Sequence, residues 1–175
     1  MSIHTRLLRT VEKVLGTTRL KTDKHRSPLQ VKQAVNSVKA FLARRDRYEE
    51  CGLIYKRGVL LWGPEGSDKG VIIAALVEEV VAKHDGIHLS FGRGPELMEM
   101  ELRQARQKEP DRPIIVILED IDEIIAKFGE AILGMLDGEN RIANVVYVAT
   151  TNHPERLGAR IVNRPSRFDE RILVA

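Results

Sequence analysis

The stretch GVLLWGPEGSDKG, Gly58 to Gly70, constrains this chain more than any other. Its apolar run, Val59 to Trp62, is short, continuous and preceded and followed by glycine, which predicts a strand buried on both faces of a parallel sheet. A glycine-rich turn with one lysine follows, and Val71 to Val81 reads as a helix. Strand, turn, lysine and helix together read as a phosphate-binding loop: backbone N–H groups in the turn and at the helix start point at an anion, and the lysine adds a positive charge. Gly63, Pro64, Glu65, Gly66, Ser67, Asp68, Lys69 and Gly70 are therefore the candidate residues around a triphosphate.

The full pattern for such a loop is G-x-x-x-x-G-K-[ST]. Gly63 and Lys69 fit it, but Asp68 stands where the second glycine belongs and Gly70 where a hydroxyl belongs. Asp68 adds a side chain and a negative charge beside the expected phosphates. Two unit charges about 5 Å apart interact by roughly 3 kcal/mol at an effective dielectric of about 20. Gly70 offers no oxygen to Mg²⁺. Taken alone, the loop reads equally as an ordinary strand-to-helix turn.

A chain of 175 residues, 43% hydrophobic and 30% charged, suits one compact α/β domain. Its apolar runs stop well short of the ~18 residues a membrane span needs, so no span is expected. Cys51 is the single cysteine, which excludes an intrachain disulfide or a cysteine-based metal site and favours a reducing, cytoplasmic setting. The net charge of +3 is unevenly spread, with the basic excess before Gly58. That section could meet nucleic acid, an anionic membrane or an acidic neighbour, although a solvated helix face is the simpler reading. Residues 1–16 share some features of a transit peptide, against which Glu12 counts.

Ile3, Leu7, Leu8, Val11, Val14 and Leu15 recur at helical spacing, so 1–26 reads as an amphipathic helix ended by Gly16 and then a linker. Ser27-Pro28 starts a second helix whose buried stripe runs from Val31 to Leu42, and 27–175 is the expected core domain. Beyond the loop, strands are predicted at Ile87–Phe91, Ile114–Leu118, Val145–Ala149 and Ile172–Val174, and helices at Glu96–Lys108 and Ala131–Leu136. Such alternation implies right-handed crossovers and a parallel sheet covered on both faces.

Three further motifs carry chemistry. IIVILEDIDE, residues 114–123, delivers Glu119 and Asp120 at the end of a buried strand, where ligands of parallel sheets collect. One carboxylate can hold the hydrated Mg²⁺ while its neighbour activates water; the pair also suits a plain acidic helix start. In VVYVATTNHPERL, residues 145–157, Asn152 can aim an amide at the same water or at the γ-phosphate. In NRPSRFDER, residues 163–171, Arg164 and Arg167 can reach a phosphate on an adjacent subunit.

In their order and spacing these motifs resemble the ATPases associated with diverse activities, the AAA branch of the AAA+ superfamily, over about Gly52 to Val174. The resembling segments are Walker A (GPEGSDKG), Walker B (VILEDID), sensor 1 (ATTN) and the second region of homology (NRPSRFDERI). LEDID looks like the subgroup that includes mitochondrial assembly proteins and phage-encoded relatives. The resemblance implies a three-layer α/β P-loop fold with a five-stranded parallel sheet in the order 5-1-4-3-2, and ATP hydrolysis coupled to remodelling of a protein client. It also implies a homo-oligomeric ring, usually a hexamer, with ATP or ADP bound between subunits. By position, Lys69 would hold the β- and γ-phosphates, Glu119 the Mg²⁺, Asp120 would be the catalytic base and Asn152 sensor 1. Arg164 and Arg167 would be fingers for the neighbouring subunit, and Gly52 to Ile54 would lie near the adenine. GRGPELMEME, after Phe91, lacks the aromatic with which relatives grip a threaded polypeptide, so threading is not expected, and a helical lid is not expected before Ala175. The alternatives are a degenerate, non-hydrolysing ring subunit with a structural or regulatory role, and a nucleic-acid ATPase using the basic N-terminal section.

Overall fold

The computed structural model of the chain describes residues 28–162, 164 and 166–175. The expected helix and linker over residues 1–26, the Ser27 cap and the first part of the basic section before Gly58 lie outside these.

Five parallel strands form one sheet: β1 (Lys56–Trp62), β2 (Ile87–Ser90), β3 (Ile114–Leu118), β4 (Val145–Thr151) and β5 (Glu170–Leu173). Their order is β2-β3-β4-β1-β5, which read from the other edge is the expected 5-1-4-3-2. The helices are α1 (Pro28–Leu42), α2 (Arg45–Glu50), α3 (Lys69–Val77), α4 (Pro95–Lys108), α5 (Ile121–Phe128), α6 (Glu130–Asp137) and α7 (Gly158–Val162). No described helix is long and apolar enough to cross a membrane.

The strands read as unbroken apolar runs because both faces are covered, and successive side chains feed two cores. Val59, Leu61, Ile115, Ile117, Val146 and Val148 pack with Ala34, Val38 and Phe41 of α1 and Ile72, Leu76 and Val77 of α3. Leu60, Val116, Leu118, Tyr147 and Ala149 pack with Met98 and Leu102 of α4, Ile121 of α5, and Ile132, Leu133 and Leu136 of α6. Three layers follow from a period of two.

Sequence and structure part in places where a long-range contact outweighs local pattern. The helix expected over Val71 to Val81 begins earlier, at Lys69, and widens to a π-helical stretch over Glu78–Lys83. There the carboxylate of Glu79 is buried and meets Lys83 at 2.9 Å and Lys39 of α1 at 3.8 Å. β4 runs two residues past Ala149, because Thr150 and Thr151 pair with Leu61 and Trp62 of β1. β5 starts at Glu170 rather than Ile172 and ends at Leu173. Helices α2, α5 and α7 are short and went unpredicted, their periods spanning barely two turns.

In register, β1 ends at Trp62 opposite Thr151 of β4, and Leu118 of β3 pairs with Ala149 of β4. The carboxyl ends of three adjacent strands therefore finish at one rim. Their following turns carry the expected phosphate loop, the acidic pair and the asparagine.

Candidate functional site

That rim encloses a cleft of ≈ 420 Å³ lined by Glu65, Gly66, Ser67, Asp68, Lys69, Gly70, Ile73, Glu119, Asp120, Thr150 and Asn152. Residues as far apart in sequence as Glu65 and Asn152 thus meet at one place, because β3, β4 and β1 are neighbours in the sheet.

The loop wraps tightly at its base. Gly63 has φ +153°, and a Cβ there would strike the carbonyl of Val174, so the chain end after β5 seats against it. Gly63 and Pro64, expected to line the ligand site, instead act through their carbonyls: the Lys69 ammonium donates to Gly63 O at 2.8 Å, Pro64 O at 2.9 Å and Ser67 Oγ at 3.1 Å. Burial draws the Lys69 amine below its ordinary value, against the opposing pull of the Asp120 and Glu65 carboxylates. An arriving anion would favour its charged form further.

Asp68 immediately precedes α3 with φ 60° and ψ 23°, the left-handed region that costs a residue with a Cβ roughly 1–2 kcal/mol and an aspartate somewhat less. Here lies the physical need for glycine at that step of the pattern. Gly70 sits in the first turn of α3, and a Cβ there would meet nothing within 4 Å, so its lack of a side chain is not imposed by packing.

Across the cleft, Glu119 follows β3, and Asp120 (φ 51°, ψ 56°) opens α5. Both carboxylates are exposed and make no hydrogen bond or ion pair among the described residues. The Asp120 N–H donates to Thr150 Oγ1 at 3.2 Å, which ties the acidic turn to the end of β4. Asn152 is half-buried, and its Oδ1 is sealed from solvent with no hydrogen-bond partner among the described residues. An orphaned amide oxygen in a cleft is what a bound ligand or its water would satisfy. Asn152 is flanked by Thr151, whose hydroxyl donates to Asp122 Oδ1 at 2.6 Å, and by His153, whose N–H donates to Thr151 Oγ1 at 2.9 Å.

Four carboxylates, Glu65, Asp68, Glu119 and Asp120, face one ammonium in this cleft. A polyanion entering alone would be repelled; one carrying a divalent cation would not. The residues therefore fit a metal–nucleotide complex: acidic oxygens for the cation, and the lysine and helix N–H groups for the phosphates.

The two arginines lie elsewhere. Arg167, expected to extend towards a neighbour, is only 4% exposed and grips Asp137 at the end of α6 through Nε at 2.8 Å and Nη2 at 2.7 Å. Arg164 is exposed and reaches the same carboxylate at 3.1 Å. The Arg167 fork, with Arg164 and Lys56 nearby, holds Asp137 below the usual carboxylate range. As the chain stands, Arg167 is an internal ion pair rather than a free finger, and Asp137 supplies the reason. Gly52 to Ile54 do not line the cleft, whereas Ile73 forms an apolar part of its wall. Thr150, Thr151, Asp122 and Asp137 were not singled out from the sequence. The first two sit in the ATTN segment and Asp122 closes the LEDID segment, but nothing local marks Asp137.

Comparison with known proteins adds to this geometry. The family described as "ATPase family associated with various cellular activities (AAA)" matches residues 59–175. The chain is 29% identical over 164 residues to the ATP-dependent zinc metalloprotease FtsH of Lancefieldella parvula, covering 83% of this chain and 25% of that protein. It is 27% identical over 164 residues to the 26S proteasome regulatory subunit 6B homolog of Saccharomyces cerevisiae (82% and 37%). The proteasome-activating nucleotidase of Methanothermobacter thermautotrophicus is 28% identical over 165 residues (83% and 39%). The chain thus spans well under half the length of these relatives.

Proposed function

The chain belongs to the AAA family of ATPases, and from that premise we propose that it binds ATP with Mg²⁺ in the cleft beyond β1, β3 and β4 and hydrolyses it to remodel a protein client. The observation that carries this reading is the convergence of Lys69, Glu119, Asp120 and Asn152 on one cleft.

Lys69 exchanges its loop carbonyls for the β- and γ-phosphates, and the N–H groups at the start of α3 add their dipoles. Glu119 holds the hydrated cation. When bound, Mg²⁺ neutralises phosphate charge and favours attack at the γ-phosphorus. Asp120 accepts the proton of the attacking water, and the Asn152 amide orients that water. Arg164 and Arg167 leave Asp137 to stabilise charge in a neighbouring subunit's site, which makes a ring, a hexamer by family resemblance, the working form. We read 27–175 as the core domain, and LEDID as a likeness to the mitochondrial-assembly and phage-encoded types. The relatives lend no support to a non-hydrolysing module.

The test is a nucleotide titration followed through Trp62, the only tryptophan and the residue before the loop, with phosphate release measured in parallel. Binding is expected with Mg²⁺ and much weaker binding in chelator, because the cleft is acidic. Lys69→Ala should abolish binding, whereas Asp120→Asn should bind and not hydrolyse. No binding at millimolar MgATP would overturn the proposal.

A further inference from the structure

A buried charge that the proposed mechanism leaves idle lies one turn from the cleft. Asp122, in the first turn of α5, has a side chain only 3% exposed. Both of its oxygens are engaged: Oδ1 accepts the Thr151 hydroxyl at 2.6 Å, and Oδ2 meets the guanidinium of Arg156 at 3.5 Å. Thr151 is fully buried, and its hydroxyl oxygen also accepts the N–H of His153 at 2.9 Å. Arg156 closes the short 3-10 turn Pro154–Arg156 that follows. The contacts therefore surround Asn152 on both sides along the chain, and each traces back to one carboxylate on α5.

Burying a carboxylate is an expensive way to gain stability, because desolvation offsets most of what pairing returns. Geometric specificity is the better account here. Asn152 keeps an amide oxygen sealed from water with no partner among the described residues, and an unsatisfied buried acceptor is costly enough that its backbone must be held in place by other contacts. We propose that Asp122, acting through Thr151 and Arg156, is a positioning residue that fixes the Asn152 amide at the cleft and ties it to the Glu119–Asp120 turn on the same helix start. This role rests on the ATPase reading above. It makes the asparagine and the acidic pair one rigid unit: a shift of α5 moves both, so water orientation and proton acceptance stay in register.

The test uses the full chain and two independent readouts. The first is the side-chain amide pair of Asn152 in a ¹H–¹⁵N spectrum, assigned by its disappearance in Asn152→Asp. Thr151→Val and Asp122→Ala should move that pair to the position of a solvated asparagine, and Thr151→Ser, which keeps the hydroxyl, should leave it in place. The second is steady-state ATP hydrolysis, where Thr151→Val should lower kcat by about tenfold or more with KM changed by less than about threefold, and Thr151→Ser should restore kcat. A role confined to stability would lower the melting temperature without this split and without rescue. Should Thr151→Val or Asp122→Ala not fold, Asp122→Asn decides: it keeps an acceptor for Thr151, loses the Arg156 charge pair, and should give an intermediate amide shift. An Asn152 amide unmoved in the variants that fold, or an unchanged kcat, would overturn the assignment. A wild type that hydrolyses no ATP would defeat the ATPase reading instead, and the amide resonances, which need no nucleotide, would still decide whether Asp122 positions Asn152.

Discussion

At the scale of single residues, the proposed phosphate loop should be limited by Asp68 and Gly70. Asp68 occupies a left-handed backbone position and brings a fourth carboxylate to the cleft. Replacing it by glycine removes both costs, and Gly70 has open space for a side chain. The double variant Asp68→Gly, Gly70→Thr is expected to tighten MgATP binding at least tenfold, about 1.4 kcal/mol, by calorimetric titration. An unchanged affinity would mean that neither residue limits the loop. Gly63 allows no such freedom: Gly63→Ala would drive a methyl group into the Val174 carbonyl, and a lower melting temperature together with weakened nucleotide binding is expected.

At the scale of elements, two polar clusters tie the layers together, both at the end of the sheet where the strands begin. Arg106 of α4 donates to the carbonyls of Glu109, Pro110, Arg112, Ala143 and Asn144, so one guanidinium fastens α4 to the segments entering β3 and β4. Arg106→Met should destabilise the fold by about 2 kcal/mol in a denaturant titration, since charged hydrogen bonds are lost and carbonyls are left to water. Nucleotide affinity should stay unchanged, because the cleft lies at the other end of these strands. Asp137 joins α6 to the segment before β5 through Arg164 and Arg167. Its carboxyl is held below the ordinary value of 3.8. The stability it contributes is therefore fully present above that value and is lost as pH falls through the lower folded one. Asp137→Asn should be less stable than wild type near neutral pH, and the difference should shrink in urea titrations carried out below about pH 4.

At the scale of the whole molecule, the proposed catalytic set is incomplete in one chain: the cleft contains Lys69 and the acidic pair, while Arg164 and Arg167 are absent from its lining. If the arginines serve a neighbour, mixing Lys69→Ala chains with Arg164→Ala chains should recover part of the hydrolysis that each variant lacks. Sedimentation should show larger assemblies with MgATP than without. No recovery on mixing, with assembly intact, would confine the arginines to their structural pairing with Asp137.

The strands, and the loop, acidic pair and asparagine that meet at the cleft, could all be picked out along the chain, because each is a local matter of apolar runs, turn chemistry and residue type. Sheet order followed from family resemblance and agrees with the structure. Only the tertiary structure decided which side chains answer one another. Arg167 meets Asp137 thirty residues away, Thr151 meets Asp122 at a separation of 29, and Lys69 turns to its own loop's carbonyls. Those pairings depend on which strands are neighbours and in what register. Helix and strand periods carry no such information, since they record which face of an element is buried and not what is packed against it.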